Sequence, residues 1–93
     1  MDMASELAHL ALANRHLATA DAAIDRQEKW IASHGSSRLL APAEVLLITM
    51  RQAREAMLDH RALIVRAISD EDASIAMLAL GAARAETRGG RNR

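Results

Sequence analysis

The sequence predicts an all-α protein: a long, coiled-coil-like antiparallel helical hairpin with a short third helix or helical extension. Three observations carry this. First, Met3, Leu10, Leu17, Ile24 and Ile31 recur at steps of seven, and Ala43, Met50, Met57 and Ile64 repeat the step. A seven-residue apolar repeat lays one seam along an α-helix, and the seam has to pack on another helix. Second, no Gly or Pro interrupts residues 3–33, and Gly35 and Pro42 stand between the two seams. Third, alanine fills 21 positions and aromatic residues are reduced to a single Trp, a composition that favours helix strongly.

The first helix is expected over about residues 3–33, roughly 45 Å at 1.5 Å per residue. Alanines flank its large side chains and allow a partner helix to come close. It should stop at His34-Gly35, where a glycine can take the left-handed conformation that ends many helices. Leu39 and Leu40 should fold back over the open end of the seam. Pro42 fits the first position of the second helix, with Glu44 in its first turn against the positive end of the dipole.

The second helix is expected over about 42–68. Leu46, Met50, Ala53, Met57, His60, Ile64 and Ala67 alternate steps of four and three and define its face. Val45, Leu47, Ile48, Leu58, Leu63, Val65 and Ile68 widen the apolar surface beyond what one partner helix can cover. Ser69 followed by Asp70, Glu71 and Asp72 reads as an N-cap with an acidic first turn, so a third helix is expected over about 70–85. The alternative is one continuous helix, because Ile68, Ile75 and Ala82 keep the seven-residue step. Residues 1–86 then form a single domain, and the basic tail 87–93, with Gly89-Gly90, should be disordered.

The register of the hairpin is also readable. With the turn centred near Ser37, facing residues have numbers summing to about 75. Leu17 then lies near Met57 and Leu58, Asp21 opposite Arg54, and Asn14 opposite Arg61.

Composition limits the chemistry. Twelve basic residues balance twelve acidic ones, so no global field draws in nucleic acid or anionic lipid. Cysteine is absent, which excludes disulfides and thiolate chemistry. The start, Met1-Asp2-Met3, lacks the basic run of a secretory signal, and the longest apolar run, residues 73–83, is short of the ~20 residues of a membrane span. A cytoplasmic protein is expected, with no cofactor and no small-molecule substrate.

His9, His16 and His60 are the metal candidates. His9 and His16 are two turns apart, roughly 10.5 Å, too far to share one ion directly. Glu6-x-x-His9 resembles half of a di-iron helix motif, but one copy of the chain does not supply the second such motif and the two glutamates that complete the site, which a dimer could add. His60 is read as an amphipathic seam residue. A hydrolytic triad has no candidate, because the serines and threonines fall in loops, caps or exposed helix positions. Arg84, Arg88, Arg91 and Arg93 make a basic end that could touch phosphate, but no aromatic is interleaved for base stacking and Glu86 interrupts the run. Trp30, near the hairpin tip, is either a lid on Leu39, Leu40 or Leu46, or an interface anchor.

Asn14-Arg15-His16-Leu17, Ile24-Asp25-Arg26-Gln27, Ile31 and His60-Arg61-Ala62-Leu63-Ile64 resemble a set of short uncharacterised bacterial helical-hairpin proteins, mostly alphaproteobacterial. The likeness covers roughly residues 7–68. It implies two long helices and a bacterial cytoplasmic setting, and no activity. The apolar extension after Ser69 departs from that pattern.

The expected function is therefore a non-catalytic protein–protein interaction module, either a small helical adaptor or a self-associating structural or regulatory protein. The expected interface residues are Trp30, Leu47, Leu58, Val65, Ile75 and Leu78. A histidine-based metal-binding hairpin, or a regulator with an arginine tail on nucleic acid, is the alternative.

Overall fold

A computed structural model describes the backbone of residues 2–91 and the side chains of residues 2–84. Two helices make up the fold, α1 (Met3–Ser33) and α2 (Leu40–Arg91), packed as an antiparallel hairpin. No strand occurs among the described residues.

The first helix starts where Asp2 caps it. Asp2 has extended backbone angles, and its Oδ1 accepts from the Ser5 amide at 2.7 Å. That bond satisfies one of the donors a helix start leaves open. It also holds the Asp2 carboxyl below its ordinary range, because the amide stabilises the charged form.

At the other end the turn is made without a left-handed glycine. No residue among those described has a positive φ, Gly35 included. Instead the chain turns through short bonds: His34 N–H donates to Ile31 O at 3.2 Å, Ser37 N–H to His34 O at 3.0 Å, and Leu40 N–H to Ser37 O at 3.2 Å. The Ser37 hydroxyl accepts from the Leu39 amide at 3.1 Å, which helps launch α2. The second helix therefore begins at Leu40, two residues earlier than Pro42 predicts. Pro42 still lies in the first turn, where its missing N–H costs nothing. Glu44 falls beyond that turn.

The third helix is corrected by the structure: α2 is one element of 52 residues, roughly 78 Å long, and Ser69 lies inside it. A Ser-acid string resembles a cap only where the backbone leaves the helical region. Here no Gly or Pro follows Pro42 until Gly81, and Ile68 and Ile75 keep the seven-residue step across the expected break. Continuing the helix keeps every backbone bond that a break would expose. The backbone stays helical to Arg91, past the Ala85 end expected for this segment, so residues 87–91 of the expected disordered tail are helical. Asn92 and Arg93 lie outside the described residues.

The core is a single line of side chains between the two helices. Ala13 and Ile24 from α1 and Ala43, Leu47 and Ile64 from α2 are buried. Met3, Leu10, Leu17, Ala20 and Ile31 on α1, and Met50, Met57, Ala67 and Ile68 on α2, are half-buried beside them. No side chain is wholly sealed from solvent among the described residues. With apolar burial contributing about 25 cal/mol per Å², so thin a core makes the isolated hairpin only modestly stable.

Candidate interaction surface

The register follows the sequence reading. Arg54 Nε donates to Asp21 Oδ1 at 2.5 Å, and Arg61 Nε donates to Asn14 Oδ1 at 2.6 Å. In each pair the residue numbers sum to 75. Nearer the tip, Gln27 Nε2 donates to the Ala43 carbonyl at 2.9 Å, tying the side chain of one helix to the backbone of the other.

Met50, Met57, Ile64 and Ala67 of the expected α2 face do lie inward, and the alternate positions are displaced by one residue. Its inner line runs Ala43, Leu47, Met50, Arg54, Met57, Arg61, Ile64, Ile68 and Glu71. Leu46, Ala53 and His60, assigned to the seam from sequence, are exposed. The reason is the pair of arginines. A seam traced by hydrophobicity steps around Arg54 and Arg61, and the true line includes them because each meets a polar group across the interface.

This shift decides where the proposed interface residues stand. Leu47 is only 8% exposed, buried in the hairpin itself, so it is removed from any outward surface. Leu58 is half-buried, and Val65 is exposed beside the seam. Trp30 is half-buried at the tip. Its ring stacks on His34 with centroids 4.2 Å apart and planes 5° apart, and the His34 Nδ1 lies 2.7 Å from the Trp30 carbonyl. Gln27, Trp30, Leu39, Pro42 and Leu46 border a shallow groove there. Ile75 and Leu78 are open to solvent, Leu78 at 75%.

The two flanks of the seam differ in character. One carries charge: Lys29 pairs with Asp25 at 2.9 Å, Arg51 with Glu28 at 3.7 Å, and Arg54 with Asp21. The Asp25 carboxylate accepts from Lys29 and raises the ammonium above its ordinary value. The other flank gathers the histidines. His9, His16 and His60 border one shallow hollow, and His9 and His60 share the next with Glu6 and Leu63. The structure therefore brings the three metal candidates to one side of the hairpin. Even so, no three His, Asp or Glu side chains converge to hold an ion among the described residues. Glu6 was missed as a seam residue. It is 4% exposed, and no hydrogen bond or ion pair reaches its carboxylate among the described residues. Its place four residues before Leu10 and three after Met3 was the available signal.

The largest feature is the difference in helix length. In the register above, Met3 faces position 72, so α1 runs out there. Glu71 is the last half-buried residue among the described side chains of α2, and every side chain from Asp72 to Arg84 is exposed. That segment includes Ile75, Met77, Leu78 and Leu80, all at least half exposed. Along the rest of α2, Val45, Ile48 and Leu63 also face outward. No helix among the described residues is long and apolar enough to cross a membrane. Comparisons with protein families, with curated proteins and with solved structures find no match to this chain.

Proposed function

We propose that this chain is a non-catalytic protein–protein interaction module that works by helix packing, as a small adaptor or by self-association. The observation that supports the reading is the free end of α2. Its described side chains are all exposed, yet large apolar groups point around most of the helix circumference. A helix that is apolar nearly all round is stable when other helices cover it. A contiguous apolar patch rimmed by charge is the usual mark of a protein contact site.

Multi-angle light scattering at micromolar concentration, with a hydrophobic dye as a second readout, tests the reading. A mass above the 10.1 kDa of one chain, or dye binding that a helical partner suppresses, supports it. A strict monomer that binds neither dye nor helical partner overturns it.

A further inference from the structure

We propose that the uncharged flank of the hairpin, which carries Trp30, Leu46, His16 and His60, packs antiparallel on the same flank of a second copy, giving a two-layer dimer of hairpins. The proposal rests on the interaction-module reading and names its surface and its partner.

The two sides of the seam are chemically unlike. One side holds the ion pairs, with Asp21, Asp25, Glu28, Arg51, Arg54 and Glu55 around one hollow. The other presents Leu46, Thr49, Ala53, Ala56, His60 and Leu63 from α2, at alternating steps of three and four and all exposed. From α1 it presents Ala13, His16, Ala20, Ala23, Gln27 and Trp30 at the same alternation. No Asp, Glu, Lys or Arg stands in either strip. Leu12, beside His16, adds a further exposed apolar group. An uncharged strip rimmed by charge suits a second helical layer.

A second copy is the occupant because each strip is complementary to its own reverse. The α2 strip reads large, polar, small, small, polar, large. Reversed on itself, it sets Leu46 across from Leu63, Thr49 from His60 and Ala53 from Ala56, each pair summing to 109. The α1 strip sets Trp30 across from Ala13, Gln27 from His16 and Ala23 from Ala20, each pair summing to 43. Within one copy Trp30 and Leu46 border one groove, His16 and His60 another, and both pairs sum to 76. The centre of the α2 strip, between Ala53 and Ala56, is level on that count with the centre of the α1 strip, between Ala20 and Ala23. One two-fold axis therefore serves both helices. Alanines at the axis let the layers come close, and Trp30 lies over a small residue.

The polar groups fit the same arrangement. Gln27 donates its Nε2 to the Ala43 carbonyl at 2.9 Å, and the Thr49 hydroxyl donates to the Val45 carbonyl at 3.2 Å. Each keeps an oxygen that can accept from an imidazole N–H. At the end of the overlap Arg38 comes level with Asp70 and Glu71 of the other copy. Arg15 comes level with Lys29 at the outer edge, where Lys29 is already paired with Asp25 and solvent screens the charge. Pairing tip on tip would instead stack His16 and His60 of both copies on one level, where protonated imidazoles repel. The antiparallel overlap, from His9 to His34, runs about 38 Å along the helices. The hairpin is 18 Å across. Roughly 1,300 Å² is then buried in all, within the range of specific interfaces.

The test uses the full chain, which has no native cysteine. Sedimentation at micromolar concentration should give twice the 10.1 kDa monomer mass. Emission from Trp30, the one aromatic of the chain, should move to the red on dilution. Ala56→Glu should weaken association at least tenfold with the helical circular dichroism kept. Leu63→Ala, which leaves the fold of the dilute chain unchanged, should weaken it severalfold. Ile48→Glu, on the far face of α2, should leave it unchanged. For direction, Leu46→Cys mixed with Leu63→Cys should give a mixed disulfide, and Leu46→Cys alone should not cross-link. In the antiparallel dimer the two copies of residue 46 are about 25 Å apart along the axis, beyond disulfide reach. Self-cross-linking of Leu46→Cys overturns the antiparallel arrangement. A dimer indifferent to Ala56→Glu overturns the proposed flank and leaves the interaction-module reading standing on another face. A wild-type monomer that still takes a different helical partner overturns self-pairing alone, and one that takes none removes both.

Discussion

Arg54 and Asp21, 33 residues apart in sequence, meet through a 2.5 Å hydrogen bond from the guanidinium Nε to the carboxylate, and this contact fixes the alignment of the hairpin. Both side chains are more than a third exposed, so solvent screens the pair. Its coupling in a double-mutant cycle with alanine should be about 0.5 kcal/mol and should shrink in high salt. The larger effect should be on specificity. Replacing Arg54 and Arg61 together by Leu should raise the melting temperature and at the same time populate shifted registers or new oligomers, read by cross-linking and light scattering. A polar position in a coiled-coil seam characteristically gives up stability for alignment. Unchanged mass and a single register in the Leu variant would show that the arginines carry no alignment role.

The phase of α2 can be checked by a pair of truncations. Leu47 is buried and Leu63 is 66% exposed. Leu47→Ala should cost about 2 kcal/mol in urea unfolding, at the low end of the range for core leucines because so thin a core collapses readily around the gap. Leu63→Ala should change stability by less than about 0.5 kcal/mol. Equal effects would mean that the inner line has been assigned to the wrong residues.

Glu6 offers the opposite sign. It occupies a seam position where its stem is buried and no carboxylate oxygen is sealed from solvent without a partner, so a leucine there adds apolar contact between the helices. Glu6→Leu should stabilise the hairpin by about 1 kcal/mol, read as a rise in the urea midpoint with an unchanged slope. A loss of stability would show that the carboxylate is held by an interaction that truncation breaks.

The cap at Asp2 gives a pH dependence of known direction. Its folded pKa lies below the ordinary 3.8, because the Ser5 amide bonds the charged form. The cap's contribution is therefore complete above the ordinary value and is lost as pH falls through the lowered one. Amide exchange at Ser5 should quicken on acidification below about pH 3.8. In Asp2→Ala it should be fast at all pH values, with the step absent.

Much of this architecture is legible in the residues, and the failures have physical causes. The register could be read because the polar groups at 14 and 21 find partners at 61 and 54 under the only turn the chain offers. Half of the α2 face could not: Met50, Met57, Ile64 and Ala67 lie inward as read, but a hydrophobicity trace puts Leu46, Ala53 and His60 where Leu47, Arg54 and Arg61 stand. The break at Ser69 looked real because a serine before three acids carries the chemistry of a cap. A cap, however, acts only where the backbone departs from helical angles, and nothing in the local sequence forces that departure. Gly35 misleads in a similar way: a glycine permits a left-handed turn, and a string of short backbone bonds made one unnecessary. Ile75 and Leu78, expected at an interface, are open to solvent. Leu47, expected on the outward surface, takes the inner position that Leu46 was given.

The constant sum of 75 between facing positions has a kinetic consequence. Rungs beside the turn join residues close in sequence, and each rung further out closes a larger loop. The first contact around residues 31–43 carries most of the closure entropy, and each later rung adds only its own local ordering. Assembly should zip outward from the Trp30 end, and disassembly should begin where Met3 leaves position 72. The least protected part of the hairpin is thus the part that borders the uncovered helix, so a partner binding there would also clamp the fraying end shut.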